Sequence, residues 1–250
     1  MTDTTYSKPL LFLRACAYWV VFIVSTVALT FPVIIASFVY RDLAVWLVDL
    51  WVSINLRALK LICGLYGVAD GLEHLPNEPS IVFAKHQSTF ETFYIQSKLP
   101  KVVFVAKREL LLIPFFGWAL ASMGFVMIDR RAGRSAVKQM IEQYSQRKQE
   151  GHWLVIFPEG TRKAVGDKPD YKIGGALLAV ETNTPVVPVA LNAGEFWPRH
   201  SFIKWPGAVT VSFGPPIYPE GKTADEVRTL AKDWIENRMS EITQQDRFPY

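Results

Sequence analysis

The sequence is poor in cysteine and histidine. Its 250 residues include two cysteines, Cys16 and Cys63, both inside apolar runs. So few cysteines exclude a disulfide framework and a cysteine metal cluster, and the reducing cytoplasm is the default compartment. The four histidines show no ligand spacing for zinc. We therefore expect no metal site.

Charge is also scarce. Lys and Arg number 27 against 23 Asp and Glu, a formal net charge of +4, and only 20% of the residues are charged. Half of the residues are hydrophobic and the mean hydropathy is +0.16. This composition excludes a disordered chain and favours a protein that contacts a membrane over a purely soluble one.

Several common functional motifs are missing. Neither a Walker phosphate loop nor Gly-x-Gly-x-x-Gly occurs, which disfavours nucleotide binding. No Gly-x-Ser-x-Gly elbow occurs, which disfavours a serine hydrolase, and Ser88 lies only two residues from His86, an awkward position for a separate nucleophile. We also expect no nucleic-acid partner.

The most prominent apolar run lies near the N-terminus, between Arg14 and Arg41. Residues Ala15 to Tyr40 are rich in Val, Ile, Phe and Trp and carry no charge. As a helix this run is long enough to cross a hydrocarbon core of about 30 Å. It is too long, with no evident small-residue cleavage site, to be a cleaved signal peptide. Pro32 lacks an amide hydrogen, so we expect it to kink or divide the helix.

A second apolar segment, from Leu43 to about Ile62, carries one polar stripe at helical spacing. The stripe consists of Asp42, Asp49, Ser53, Arg57 and Lys60. We predict that residues 1–68 form a membrane-associated helical hairpin, immersed in one side of a bilayer or lying in its surface, with the stripe turned toward water or the rest of the protein. The alternative is that the second segment is an ordinary buried core helix. The flanking positive charges do not decide the orientation.

Residues 69–250 alternate short β-branched and aromatic runs with longer polar, periodic stretches. The strand candidates are 80–84, 102–106, 124–128, 153–157, 186–191 and 208–213. The helix candidates are 89–99, 134–150, 173–182 and 224–243. This alternation predicts an α/β domain with a mixed or mostly parallel sheet flanked by helices. In such sheets, chemistry gathers at the loops that leave the strand ends.

The loop after the first strand candidate carries Lys85, His86 and, five residues after the histidine, Glu91. A neutral imidazole can take a proton from a hydroxyl, and a carboxylate on its other nitrogen fixes the tautomer and stabilises the imidazolium. Two residues five positions apart on one regular helix point in different directions. We therefore expect His86 to lie ahead of the helix and Glu91 to lie in its first turn. The alternatives are a structural loop histidine and a capping box, Ser88 to Glu91.

A second polar loop follows the strand candidate 153–157. It reads Phe-Pro-Glu-Gly-Thr-Arg from Phe157 to Arg162. Gly160 allows a sharp turn, the neighbouring amides and the Thr161 hydroxyl can face an anion, and the Arg162 guanidinium matches phosphate oxygens. We interpret this loop as a phosphate cradle, and the alternative is a plain polar turn.

Together the two loops resemble a known family. His86 to Glu91 and Phe157 to Arg162 are similar, in order and spacing, to the signature motifs of the 1-acylglycerol-3-phosphate acyltransferases: Asn-His, four residues and Asp, then Phe-Pro-Glu-Gly-Thr-Arg. Further similar stretches are Lys107 to Gly117, Gly124 to Arg130 and Val187 to Val189, so the resemblance spans roughly residues 75–195. Two departures stand out: Lys85 replaces Asn, and Glu91 replaces Asp. Glutamate keeps the carboxylate and adds one methylene, whereas the sequence offers no account of Lys85.

The resemblance implies transfer of a fatty acyl group from acyl-CoA or acyl carrier protein to lysophosphatidic acid, giving phosphatidic acid, with no cofactor. It implies that His86 deprotonates the acceptor hydroxyl and Glu91 orients His86. Phosphate contacts would come from Arg162, Lys107 and Arg130, with the loop shaped by Glu159, Gly160 and Thr161. Alternatively, Lys107 anchors an apolar loop at lipid headgroups and Arg130 belongs to a solvated face.

We expect the protein at the inner (cytoplasmic) membrane, with its catalytic domain on the cytoplasmic face and membrane lipid as a partner. The apolar run Leu110 to Trp118 lines an acyl tunnel or packs as ordinary core. The competing functions are an acyltransferase for a different lyso-lipid and a non-catalytic membrane lipid-binding protein.

Overall fold

A computed structural model describes residues 6–129, 133–167 and 169–244 of the chain. In these ranges the domain is built on a sheet of seven strands in the order β1-β7-β6-β2-β5-β3-β4. The strands are β1 Leu65–Asp70, β2 Ile81–Ala84, β3 Val102–Lys107, β4 Val126–Ile128, β5 Trp153–Ile156, β6 Val186–Leu191 and β7 Gly207–Phe213. All neighbours are parallel except β6 and β7. The predicted α/β class, with a mostly parallel sheet, is confirmed.

Helices cover both faces of the sheet. Within the described ranges they are α1 Lys8–Val39, α2 Arg41–Ala58, α3 Phe90–Gln96, α4 Phe116–Met123, α5 Arg134–Gln149, α6 Gly174–Glu181 and α7 Ala224–Ile242. Val82 of β2 packs in a core with residues of α1, α2 and α3, whereas its neighbour Phe83 packs in a core with residues of α5, α6 and α7. Because both faces are covered, the central strands are continuous apolar runs.

The first apolar run forms one long helix. α1 continues through Pro32 as far as Val39, so the proline does not divide it. Among the described residues, α1 is the helix long and apolar enough to cross a membrane, and only 22% of its most apolar stretch is buried within the protein. Exposed large side chains cover its outer surface, including Leu13, Ile23, Ile35, Phe38 and Val39. An uncovered apolar surface of this length indicates membrane association.

The N-terminal part of α1 is attached to the domain through a buried lysine. Lys204 is fully buried, and its ammonium donates a hydrogen bond to the carbonyl of Phe202 at 2.9 Å. The same nitrogen lies 4.9 Å from the ring centre of Tyr18, 4.4 Å from Trp19 and 4.7 Å from Trp197. Burial lowers the pKa of Lys204 to about 8. Cation–π attraction to these rings offsets part of the cost of burying the charge.

Helix α2 packs antiparallel to α1 and completes the hairpin. The charged residues of its predicted polar stripe are exposed and Ser53 is half-buried; Asp42 pairs with Lys101 at 3.3 Å. A single π-helical turn, Leu59–Cys63, follows α2, and Gly64 in the left-handed conformation leads directly into β1. The hairpin is therefore joined to an edge strand of the sheet without a linker.

The strand order brings the two sequence motifs together. β2 pairs in parallel with β5, Phe83 opposite Ile156, and β5 pairs in parallel with β3. The carboxyl ends of β2, β5 and β3 therefore lie side by side at one edge of the sheet. His86 follows β2, Arg162 follows β5 and Lys107 ends β3.

Candidate active site

His86 and Glu91 form a hydrogen-bonded pair at the start of α3. His86 lies in the loop ahead of the helix, and its Nδ1 is 2.9 Å from Oε1 of Glu91, which lies in the first turn. This is the arrangement expected from the spacing. Glu91 is fully buried, whereas the His86 side chain is 17% exposed and lines the main cavity. With Nδ1 bonded to a carboxylate, Nε2 is the nitrogen available to take a proton.

Glu91 also fulfils part of the capping role considered from the sequence. Its Oε1 accepts hydrogen bonds from the amides of Gln87 at 2.9 Å and Ser88 at 2.7 Å. The reciprocal half of a capping box is absent here, because Ser88 Oγ accepts from the amide of Phe90 rather than from that of Glu91. The same carboxylate oxygen therefore holds both the loop backbone and the imidazole.

The second loop contacts both the backbone and the ring of His86. Glu159 is buried, and its Oε1 accepts a hydrogen bond from the backbone amide of His86 at 2.9 Å. Burial raises the pKa of Glu159 to about 7, although Lys85 opposes the rise. Gly160 has φ 72°, and a Cβ there would lie 3.0 Å from Cε of Lys172, so the tight turn favours glycine. The ring of Phe157 stacks on that of His86.

Arg162 reaches back across the two loops. Its NH1 donates to the hydroxyl of Thr89 at 3.1 Å, and its carbonyl accepts a hydrogen bond from Arg199 at 3.1 Å. Thr161 and Arg162 line the same cavity as His86. Lys107, exposed at the end of β3, lines this cavity too. Arg130, the remaining predicted phosphate contact, lies outside the described residues.

The cavity beside these groups has a volume of about 550 Å³. Away from these groups its walls are mainly apolar side chains from α1, α2, α3, β3 and the α4 region: Phe22, Val33, Val48, Phe93, Phe104, Leu110, Phe116, Leu120 and Phe125. The predicted run Leu110 to Trp118 is thus divided. Leu110 and Phe116 line the cavity, whereas Leu112 is 82% exposed and Trp118 is 45% exposed.

Comparison with known proteins places this site in a family. The model of the family described as Acyltransferase matches residues 68–192. A 1-acyl-sn-glycerol-3-phosphate acyltransferase of Pseudomonas aeruginosa is 38% identical over 201 residues, 79% of this chain and 78% of that protein. The chain belongs to the acyltransferase family. It is accordingly an enzyme.

Other acyltransferases share the similarity. A human 1-acyl-sn-glycerol-3-phosphate acyltransferase alpha is 32% identical over 187 residues, which is 71% of this chain and 66% of that protein. The crystal structure of the 1-acyl-sn-glycerophosphate (LPA) acyltransferase PlsC of Thermotoga maritima superposes with a TM-score of 0.79 at 25% identity, covering 95% of this chain and 97% of that one.

Sequence reasoning missed two residues of the candidate site and assigned no role to a third. Arg199 and His200, in the loop after β6, line the cavity mouth, and Arg199 donates to His200 Nε2 at 2.8 Å. Lys85 is buried beneath the site and forms an ion pair with Glu236 of α7. No group of three or more His, Cys, Asp or Glu among the described residues has the geometry to hold a metal ion.

Proposed function

We propose that this acyltransferase moves a fatty acyl group from a thioester to the free sn-2 hydroxyl of 1-acyl-glycerol 3-phosphate, giving phosphatidic acid. The names of its relatives support this reaction. The observation that carries the proposal is the His86–Glu91 pair, 2.9 Å apart, at a cavity whose mouth also holds the Arg162 guanidinium.

The proposed base is Nε2 of His86. It takes the proton of the acceptor hydroxyl while that oxygen attacks the thioester carbonyl. The tetrahedral intermediate collapses with cleavage of the C–S bond, and the leaving thiolate takes the proton back from the imidazolium. Glu91 stabilises the imidazolium, a contribution of about 10²-fold to 10⁴-fold in rate for general-base catalysis. Because the acceptor itself is the nucleophile, no acyl-enzyme is needed.

Arg162 and Lys107 are the proposed contacts of the acceptor phosphate, together with Arg130. Arg162 is held by Thr89, next to the His86 loop, so a phosphate bound there fixes the glycerol hydroxyl near the base. Alignment of two reactants in this way is worth several kcal/mol of the barrier, of order 7–11 in favourable cases. Glu159, Gly160 and Thr161 shape the loop that carries Arg162.

The apolar part of the cavity suits a fatty acyl chain. Its walls come largely from the α1–α2 hairpin and from α4, the elements that expose apolar side chains outward. We propose that the α1–α2 hairpin is the membrane-associated part and that the α/β domain, which begins at β1 rather than at the predicted residue 69, is the catalytic part. On this proposal the enzyme works at the inner membrane, on its cytoplasmic face, and receives its lipid acceptor directly from the bilayer.

An assay of the purified protein tests this proposal. Lysophosphatidic acid and other lyso-lipids are offered as acceptors, each against labelled acyl-CoA and acyl carrier protein. We expect phosphatidic acid from lysophosphatidic acid, near-complete loss in His86→Ala, and no labelling by a fluorophosphonate probe. Preference for a different lyso-lipid would show that lysophosphatidic acid is not the main acceptor. Full activity in His86→Ala would reject the mechanism.

A further inference from the structure

A buried cluster of charges lies directly behind the catalytic loop. Lys85 is 1% exposed, and its ammonium lies 2.7 Å from Oε1 of Glu236 and 3.7 Å from Oε1 of Glu159. Tyr171 donates a hydrogen bond to the same Glu236 oxygen at 2.9 Å. The cluster joins β2, the Phe157–Arg162 loop and α7, three elements that are distant in sequence.

One oxygen of Glu159 connects this cluster to the catalytic histidine. Oε1 of Glu159 accepts a hydrogen bond from the backbone amide of His86 at 2.9 Å. The same oxygen lies 3.7 Å from the Lys85 ammonium. The backbone amide of Lys85 is itself fixed to the carbonyl of Val189 in β6 at 2.9 Å. The neighbouring residues Lys85 and His86 thus meet the same carboxylate, one through its side chain and the other through its main chain.

We propose that Lys85 is a positioning residue of the acyl-transfer site: anchored by Glu236, it holds the Glu159 carboxylate in place under the backbone of His86. This inference rests on the proposed function of His86 as general base. It also accounts for the lysine at this position, since a neutral side chain would leave Glu159 buried without a cation.

The charges around Glu159 act in opposite directions. Burial raises the pKa of Glu159 to about 7, Lys85 and the His86 amide lower it, and Glu236 and Glu91 raise it. Tyr171 also faces this group, and Glu159 contributes to the raised pKa of the Tyr171 hydroxyl. An ionised carboxylate accepts an amide hydrogen bond more strongly than a neutral acid does. Protonation of Glu159 therefore weakens the hydrogen bond that holds the backbone of His86.

Two substitutions are expected to shift the acid limb of the pH profile of kcat/KM in opposite directions along the pH axis. Lys85→Met removes the cation, and since a nearby opposite charge lowers a carboxyl pKa by about 1 to 3 units, the limb moves to higher pH by a similar amount. Glu236→Gln removes a like charge and frees the lysine for Glu159, so the limb moves to lower pH by up to about one unit. The Glu159→Gln background assigns these shifts, because a direct electrostatic effect of the two charges on another group of the site would persist there.

Three controls assign the shifts to Glu159. In a Glu159→Gln background both shifts are expected to vanish, because the titrating carboxyl is gone. Lys85→Arg, which keeps the cation, restores most of the wild-type profile. Lys232→Met is the matched control, since Lys232 on α7 pairs with Asp170 at 3.6 Å at the surface, and it leaves the profile unchanged.

Thermal unfolding in detergent provides a readout that does not need activity. The same opposed shifts are expected in the midpoint of the pH dependence of Tm, including for Glu236→Gln alone if Lys85→Met fails to fold. Shifts in Tm without acyl transfer to any lyso-lipid by the wild-type protein would reject the proposed function but not the Lys85–Glu159 linkage. Shifts of equal sign, no shifts, or shifts that persist in Glu159→Gln would overturn the positioning role.

Discussion

The imidazole of His86 stacks on the ring of Phe157, with centroids 3.9 Å apart and planes inclined by 14°. The stack joins the first residue of the second motif to the histidine of the first. Together with the bond from Nδ1 to Glu91, it fixes both the plane and the in-plane rotation of the ring. The proposed base is therefore preorganised before substrate binds, as efficient general-base catalysis requires.

The carboxylate of Glu91 is expected to be essential for turnover. In Glu91→Gln the amide oxygen can still accept from the backbone of Gln87 and Ser88, but the side chain bonded to Nδ1 no longer carries the negative charge that stabilises the His86 imidazolium. We expect kcat to fall by about 10²-fold to 10⁴-fold, the range for general-base catalysis, with a small change in Tm. Steady-state kinetics and thermal unfolding of the purified protein check this. A large loss of Tm with normal kcat per folded molecule would instead indicate a capping role alone.

Arg162 is expected to act mainly on the acceptor. A hydrogen bond to a charged group contributes about 1.5–3 kcal/mol, so Arg162→Ala should raise the acceptor KM by about tenfold to a hundredfold and leave the donor KM nearly unchanged. Arg162→Lys should be intermediate, because lysine lacks the planar fork. Arg228→Ala is the matched control, since Arg228 pairs with Asp225 on the surface of α7. An unaltered acceptor KM in Arg162→Ala would exclude the phosphate contact.

Lys204 makes the attachment of α1 sensitive to alkaline pH. Its pKa is lowered by burial to about 8 in the folded protein, against 10.5 when exposed. A lowered pKa means that the unfolded chain binds the proton more tightly, so this lysine's contribution to stability increases as pH rises from about 8 to about 10.5. Below about pH 8 this contribution is absent, because Lys204 is charged in both the folded and the unfolded protein and the folded protein must keep that charge buried.

Replacement of this lysine should remove that pH dependence. We expect Lys204→Met to abolish the part of the rise in Tm between about pH 8 and 10.5 that comes from this group. Lys98→Met is the control, because Lys98 also lies over an aromatic ring, at 5.1 Å from that of Tyr94, but is exposed. A Tm profile that is the same in Lys204→Met and wild type would disprove the linkage.

The exposed apolar turn beside the cavity is expected to contact lipid. Leu112 is 82% exposed in the short 3₁₀ turn that precedes α4. Burial of a leucine side chain is worth about 1.5–3 kcal/mol, so Leu112→Glu should weaken vesicle binding by at least about tenfold. Leu230→Glu on α7, where the leucine is 45% exposed, is the control and should bind normally. Vesicle sedimentation checks both, and equal binding would argue against lipid contact at this turn.

The central strands were predictable from sequence because both of their faces are buried. β6 has the predicted bounds, Val186–Leu191, and β5 differs only in ending at Ile156. β1 was missed for a physical reason. It is an edge strand whose side chains alternate in exposure, and it contains Gly67, where a Cβ would lie 2.1 Å from the Tyr94 ring. Neither feature produces an apolar β-branched run.

The pairing of His86 with Glu91 was predictable because the two residues are close in sequence and chemically complementary. The contacts of Lys85 and Arg199 were not predictable from the sequence, since their partners are distant in sequence and become neighbours only in the folded protein. Glu236 reaches Lys85 from the last helix, and Arg199 reaches the Arg162 carbonyl from the loop after β6. Neither loop nor helix carries a motif that marks these contacts.

The parallel pairing of β1 with β7 has a consequence for biosynthesis. β1 leaves the ribosome immediately after the hairpin, whereas β7 is made only after the five strands β2 to β6. Until β7 emerges, β1 has an unpaired edge, and such edges invite aggregation. The uncovered apolar surface of the hairpin and the unpaired edge of β1 are therefore exposed together while the nascent sheet is still incomplete.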